Sequence, residues 1–144
     1  MVLFIHLYAD LSSVRIAYLV LAHHQPHHLA RLIERLKENG DVWIHIDRKT
    51  WSQYDWRFLA TARYRVCVDH SYRVWWNHIS QVQETLHLLK RAVRFTAYDY
   101  YVLLSGQDYP IQNMDWIRER LAEAAVEKRS FMDWHLIPNP NWTH

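Results

Sequence analysis

The chain alternates short apolar runs with longer segments whose apolar residues recur every three or four positions. Ile16–Ala22 is a nearly continuous apolar run, which is typical of a strand buried on both faces. Val42–Ile46 and Tyr64–Val68 predict two more strands, the latter by alternation, and Tyr98–Leu104 predicts a fourth. The dipeptide Phe131-Met132 is compatible with the start of another strand.

Amphipathic segments separate these strands and predict helices. The first begins at Pro26, which the first turn of a helix tolerates, and Gly40 is expected to end it. Asn77 is the expected N-cap of the second helix, and Asn113 opens a third that runs to about Ala125. A weaker pattern over Trp51–Ala62 predicts a short helix. The apolar stripes are Leu29, Leu32, Ile33 and Leu36 in the first helix, Ile79, Val82, Leu86, Leu89 and Val93 in the second, and Met114, Ile117 and Leu121 in the third.

Strands that alternate with helices predict an α/β fold, in which a mostly parallel, Rossmann-like sheet carries helices on both faces. Such sheets bind ligands outside the carboxyl ends of their strands, where the strand order reverses. Polar residues follow each predicted strand, so this edge is the predicted site. They are His23-His24, Asp47-Arg48-Lys49, Asp69-His70-Ser71 and Ser105-Gly106-Gln107-Asp108.

Composition limits the classes of protein that this chain can represent. Its 144 residues are 50% hydrophobic, which suits a single domain over 1–144 with one core and excludes a disordered chain. A net charge of +2 is too small to indicate a nucleic-acid partner. Cys67 is the single cysteine, most simply a small buried strand residue, and its isolation favours a reducing compartment.

The apolar runs are too short to cross a membrane, and Met1–Tyr8 lacks the basic leader and cleavage site of a signal peptide. These features favour a bacterial cytoplasmic setting and leave a peripheral membrane contact open.

Four histidines, His23, His24, His27 and His28, resemble a metal-binding cluster at first sight. Pro26 places the first two before a helix and the last two inside it, and zinc sites need three or four convergent ligands. The alternative interpretation is polar residues at a strand end, with one histidine lining a pocket.

Asp47 follows a buried strand, a position where an acidic residue of an α/β sheet often accepts hydrogen bonds from ribose hydroxyls. The alternative role is that of a turn residue capping the next segment. Arg48 and Lys49 either face a diphosphate or are solvated. The chain's two glycines, Gly40 and Gly106, form no glycine-rich phosphate loop, which argues against a Rossmann dinucleotide enzyme and a P-loop NTPase.

Ser105-Gly106-Gln107-Asp108 is the most informative segment. Gly106 indicates a backbone shape or a close ligand approach that a side chain would block. A structural turn does not explain three polar side chains at a strand end, so a functional role is favoured. The pair Trp75-Trp76 is expected to pack, with stacking on a sugar or uracil as the minor alternative.

Four segments, in this order, resemble the core-2/I-branching β-1,6-N-acetylglucosaminyltransferase family, which includes the peptide O-xylosyltransferases. They are Ile16–His23, His45–Lys49, Trp76 with Ser80 and the helix to Leu89, and Leu103–Ile111. The resemblance implies a GT-A-like fold, a UDP-sugar donor (UDP-GlcNAc or UDP-xylose), a glycan or peptide acceptor, inversion at the anomeric carbon and no required metal. The absence of Asp-x-Asp from the sequence agrees with the last point.

By matching position, the resemblance implies that the His23-His24 segment and Asp47 line a uridine pocket. It likewise implies that Ser105–Asp108 lies beneath the donor sugar and diphosphate. Asn77-His78 replaces the small glycines usual in the family. Family members also continue past this length and carry their general base and diphosphate-binding residues there. Asp108 is the weak candidate for a base within this chain.

The resulting hypothesis is that the chain is the donor-binding half of an inverting, metal-independent glycosyltransferase. One alternative is a nucleotide-sugar-binding module without a catalytic base. The other is a His-rich metal hydrolase.

Overall fold

The computed structural model describes residues 14–54 and 66–132. In chain order these residues form β1 (Ile16–Ala22), α1 (Pro26–Leu36), β2 (Asp41–Ile46), a 3₁₀ turn (Trp51–Gln53), β3 (Val66–Asp69), α2 (Ile79–Phe95), β4 (Tyr100–Ser105) and α3 (Met114–Val126). The four strands pair in parallel in the order β3-β2-β1-β4. The predicted α/β fold with a parallel sheet is therefore confirmed.

Helices cover both faces of this sheet and divide the core in two. On one face, alternate residues of β1 such as Tyr18 and Val20 pack with α1 and α3. On the other, Ala17, Leu19 and Trp43 pack against α2. Because β1 and β2 are covered on both sides, their side chains are almost all buried, which explains the continuous apolar sequence of β1 and the mostly apolar sequence of β2.

Gly40 does not end α1, so that prediction is wrong. The helix ends at Leu36, and its C-cap residue Lys37 keeps a right-handed conformation with φ −64°. A Cβ at position 40 would lie 2.7 Å from Cε2 of Tyr18 and 2.8 Å from the carbonyl oxygen of Ile16. Glycine is needed because the chain passes close to β1, rather than because the helix must stop.

The start of α2 also differs from prediction. Its N-cap is His78, whose side chain accepts the Ser80 N–H at 3.2 Å, and not Asn77. Asn77 has φ 55°, a left-handed conformation that asparagine tolerates and glycine adopts freely. Asn77, which stands where the resemblance implies a small glycine, is therefore compatible with this backbone conformation.

Of the predicted apolar stripe of α2, Leu89 packs against the core and the other four residues do not. Ile79, Val82, Leu86 and Val93 are between 46% and 58% exposed. The buried face is instead formed by Ser80, Glu84, Leu88 and Ala92. Part of the sheet under α2 is polar, with His45 and Asp69 both buried, and a polar residue of α2 faces it.

The predictions of α3 and of the strands β2 and β4 are confirmed with small shifts in their bounds. Asn113 caps α3 by accepting the Trp116 N–H at 2.7 Å, and Met114 and Leu121 face inward. Tyr54 follows the 3₁₀ turn, and residues 55–62 of the predicted short helix lie outside the described residues, as do 64–65 of the third strand. Phe131 and Met132 are not in a strand.

Within the two described stretches of chain, no helix has both the length and the apolar character needed to cross a bilayer.

Candidate functional site

A cleft of about 550 Å³ lies at the carboxyl edge of the sheet, on the face covered by α2. It is lined by Leu21, Ala22, His23, Asp47, Lys49, Val74, Trp76, Gln81, Glu84, Thr85, Leu103, Leu104 and Ser105. The strand order reverses between β1 and β4, and the cleft opens beside the ends of these two strands. Its position is therefore the one at which open α/β sheets bind ligands.

Asp47 forms the corner of the cleft and anchors the segment that follows β3. Its Oδ1 accepts the backbone N–H of Lys49 at 2.9 Å and that of Val74 at 3.3 Å. Its Oδ2 lies 3.3 Å from the Lys49 ammonium. Asp47 is only 4% exposed and lines the cleft, so it combines the capping role with a position facing a ligand.

Lys49 and two tryptophans form the outer wall. The Lys49 ammonium donates to the Val74 carbonyl and lies 4.1 Å from the centre of the Trp75 ring. Trp75 is 57% and Trp76 84% exposed, so the expectation that this pair packs in the core is wrong. Both belong to the irregular segment between β3 and α2. Trp76 also lines the cleft.

His23 lines the cleft and interacts electrostatically with its two carboxylates, Asp47 and Glu84. Burial and the neighbouring His24 lower its pKa, while Asp47 and Glu84 act in the opposite direction. The net effect is a lowered pKa, so the imidazole is neutral at pH 7 and can both donate and accept a hydrogen bond.

Leu104 and Ser105, at the end of β4, line the third side, and Gly106 follows them directly. The Gly106 N–H donates to the Leu21 carbonyl at 2.7 Å. A Cβ on Gly106 would lie 2.9 Å from Cβ of Ala22 and 3.1 Å from its Cα. The close approach that requires glycine here is therefore to β1, and it holds the two strand ends together beside the cleft.

The other predicted site residues lie away from the cleft. The Asp108 carboxylate accepts the Ser105 N–H at 2.7 Å, and Asp108 lines a different hollow between β4 and α3. The side chain of Gln107 contacts the His24 ring, with 2.5 Å between the two nitrogens. Arg48 is exposed, and its backbone N–H donates to the Tyr72 carbonyl at 2.9 Å. The structure therefore brings together His23, Asp47, Lys49 and Ser105 and leaves Arg48, His24, Gln107 and Asp108 outside.

The histidine cluster is dispersed. The rings of His23 and His24 pack edge to face, and Nε2 of His28 lies 3.2 Å from the Asp108 carbonyl. Across residues 14–54 and 66–132, no group of three or more His, Cys, Asp and Glu side chains is arranged to hold a metal ion. The metal-hydrolase alternative therefore finds no ligand set in this part of the chain.

Sequence reasoning missed Glu84, which lines the cleft from the buried face of α2. Its Oε2 lies 2.7 Å from Nδ1 of His45, a residue with no exposed surface. The contact is short, but its angle falls outside that of a good hydrogen bond, so it is best described as a close electrostatic contact. A glutamate outside the apolar stripe of a helix is expected to face solvent. The one sequence signal for its burial was that it lies on the same helix face as Ser80 and Leu88.

The family model described as Core-2/I-Branching enzyme matches residues 16–143. No curated protein matches the chain.

Proposed function

Since this chain belongs to the Core-2/I-branching enzyme family of glycosyltransferases, we propose that its cleft binds the nucleotide-sugar donor, specifically a UDP-sugar. The observation that carries the proposal is the convergence of His23, Asp47, Lys49 and Ser105 on one cleft where the strand order reverses. Its volume of about 550 Å³ is in the range of small-molecule sites.

The chemistry of the walls suits the parts of such a ligand. Asp47 offers a carboxylate to the hydroxyl donors of ribose, and neutral His23 beside it can pair with a base edge. The Lys49 ammonium is the cation of the cleft wall and can offset the negative charge of a diphosphate. Trp76 supplies a flat surface on which a base or sugar ring can stack.

We further propose that the transfer is inverting and needs no metal, with GlcNAc or xylose passing to a glycan or peptide hydroxyl. The absence of Asp-x-Asp supports this, because a donor-bound metal in related chemistry is held by such carboxylates. Without a metal, cationic side chains such as Lys49 must stabilise the departing UDP. Asp108 is not proposed as the base, because its carboxylate serves the turn at Ser105.

Calorimetric titration with UDP-GlcNAc and UDP-xylose, each with and without EDTA, tests this proposal. We expect binding of one donor that EDTA leaves unchanged. Asp47→Ala should weaken it by about 1–3 kcal/mol, because a buried hydrogen-bonding group is lost. Asp47→Asn, which can still accept the Lys49 and Val74 N–H groups, separates this loss from collapse of the loop.

Asp115→Ala, at the exposed start of α3, is the matched control and should leave the affinity unchanged. An Asp47→Ala variant that folds and binds as tightly as the unmodified chain contradicts the site assignment. If the chain binds the donor but neither transfers its sugar to an acceptor nor hydrolyses it, the chain is a binding module.

A further inference from the structure

Glu84 occupies an unusual position for a carboxylate. It is 5% exposed, lies on the face of α2 that packs on the sheet, and still lines the cleft. A carboxylate removed from water to this degree is costly unless hydrogen bonds satisfy its oxygens. Its environment therefore shows what it is suited to bind.

One of the two carboxylate oxygens already has a partner. Nε2 of His45 accepts the Tyr72 backbone N–H at 3.2 Å, so the proton of the neutral ring lies on Nδ1. Nδ1 faces Oε2 of Glu84 at 2.7 Å. Among the described residues this is the one polar contact of Glu84, which leaves Oε1 without a hydrogen-bond donor.

The unpartnered oxygen selects a particular kind of ligand group. A carboxylate repels phosphate and accepts hydrogen bonds from neutral hydroxyls, which are the abundant donors of a sugar ring. His45 precedes Asp47 by two residues on the same face of β2, so Glu84 contacts the cleft on the sheet side of the Asp47 corner. The apolar side chains of Leu21 and Leu103 also line the cleft.

Resting on the proposed donor site, we propose that Glu84 is a specificity-determining residue that accepts a hydrogen bond from a hydroxyl of the transferred sugar. His45 is its positioning residue, because the Tyr72 N–H fixes the ring tautomer that faces Glu84. The competing explanation is that Glu84 only fastens α2 to the sheet through His45.

Binding of UDP and of the matching UDP-sugar to the same variants separates the two explanations. Both ligands contain ribose and diphosphate, so their ratio of affinities isolates the transferred sugar. We expect Glu84→Gln to weaken UDP-sugar binding roughly tenfold or more and to change UDP binding less than about twofold. Glu84→Asp keeps the charge but withdraws it by one methylene, and it should show the same selective loss.

Glu119→Gln, an exposed glutamate on α3, is the matched control and should change neither affinity. Thermal unfolding of every variant identifies those that fold. If Glu84→Gln does not fold, the comparison of affinities is made with Glu84→Asp. An equal loss of affinity for UDP and UDP-sugar overturns the inference, because that is the result expected of a structural or ribose contact. Unchanged affinities overturn it as well. If the unmodified chain binds neither ligand, the donor-site proposal fails and this inference fails with it. If the chain binds UDP normally and the Glu84 variants show no selective loss, only the role of Glu84 is refuted.

Discussion

At the scale of single residues, the polar side chains of the cleft are also those that hold its walls in place. Asp47 binds two backbone N–H groups, and His45 accepts a third from Tyr72. Such contacts fix side-chain orientation before a ligand arrives, so little ordering is left to be done on binding. Substitutions at these positions therefore affect both folding and binding, and each needs a variant that preserves shape.

A second set of buried polar side chains lies on the opposite face of the sheet, and its members are also hydrogen-bonded to one another. The Tyr18 hydroxyl donates to Oδ1 of Asn39 at 2.8 Å, and Nδ2 of Asn39 donates to the Met114 carbonyl at 2.8 Å. Burial raises the pKa of Tyr18 to about 12, so its hydroxyl remains a donor over the whole neutral range. This chain of bonds ties β1 to the loop after α1 and to the start of α3.

Removing the Tyr18 hydroxyl should destabilise the fold. Tyr18→Phe leaves Oδ1 of Asn39 buried without a donor, and we expect a loss of about 1–3 kcal/mol in the free energy of unfolding measured in urea. Tyr101→Phe is the matched control, because no hydrogen bond of the Tyr101 hydroxyl occurs among the described residues, and it should stay within about 0.5 kcal/mol. Equal stabilities of the two variants would show that the Asn39 network contributes nothing.

At the scale of elements, the site depends on how closely β4 lies against β1. Leu21 pairs with Ser105 at the end of this ladder, and Gly106 then continues along Ala22 without a side chain between them. The ends of the two strands therefore enter the cleft at a fixed separation. For α2, by contrast, the sequence predicts the period of the apolar stripe correctly but not the direction in which it faces. That direction is set by the polar part of the sheet beneath the helix.

Gly106→Ala should push these strand ends apart. The added methyl would meet Cβ of Ala22 at 2.9 Å, and we expect a loss of about 1–3 kcal/mol in unfolding free energy together with weaker donor binding. Adding Ala22→Gly removes the clashing methyl. Gly106→Ala should therefore cost less unfolding free energy in the Ala22→Gly variant than in the unmodified chain. Additive effects in this double-mutant cycle would contradict the proposed contact.

At the scale of the whole molecule, a polar cluster joins β2, β3 and α2. Asp69 lies 2.5 Å from Nη1 of Arg91 and 3.2 Å from Nε2 of His87, and it accepts the Ser71 N–H at 2.8 Å. Burial alone would raise the pKa of Asp69, but the hydrogen bonds from Ser71 and His87 outweigh it and lower the pKa to about 2. The folded state therefore favours the ionised carboxylate.

This shift predicts a pH dependence of stability. A folded pKa below the unfolded value of about 3.9 stabilises the protein above pH 4, and the contribution is lost as the pH falls toward 2. We expect it to be on the order of 1–2 kcal/mol, reduced by the partial exposure of His87 and Arg91. Urea unfolding of the unmodified chain and Asp69→Asn should differ at pH 6 and converge near pH 2. A constant difference across this range would refute the role of Asp69.

The sequence by itself determined the strands, the parallel α/β class, the edge that carries the site and the family resemblance. These follow from local apolar patterns and from residues at strand ends, both of which can be read along the chain. The tertiary structure decided which strand-end residues meet. Asp47 and Lys49 face the α2 side, whereas Asp108 turns toward the hollow beside α3. It also decided that Glu84 faces inward, because helix rotation depends on the surface that receives the helix, and that surface comes from residues distant in sequence. Trp76 precedes α2 and is exposed.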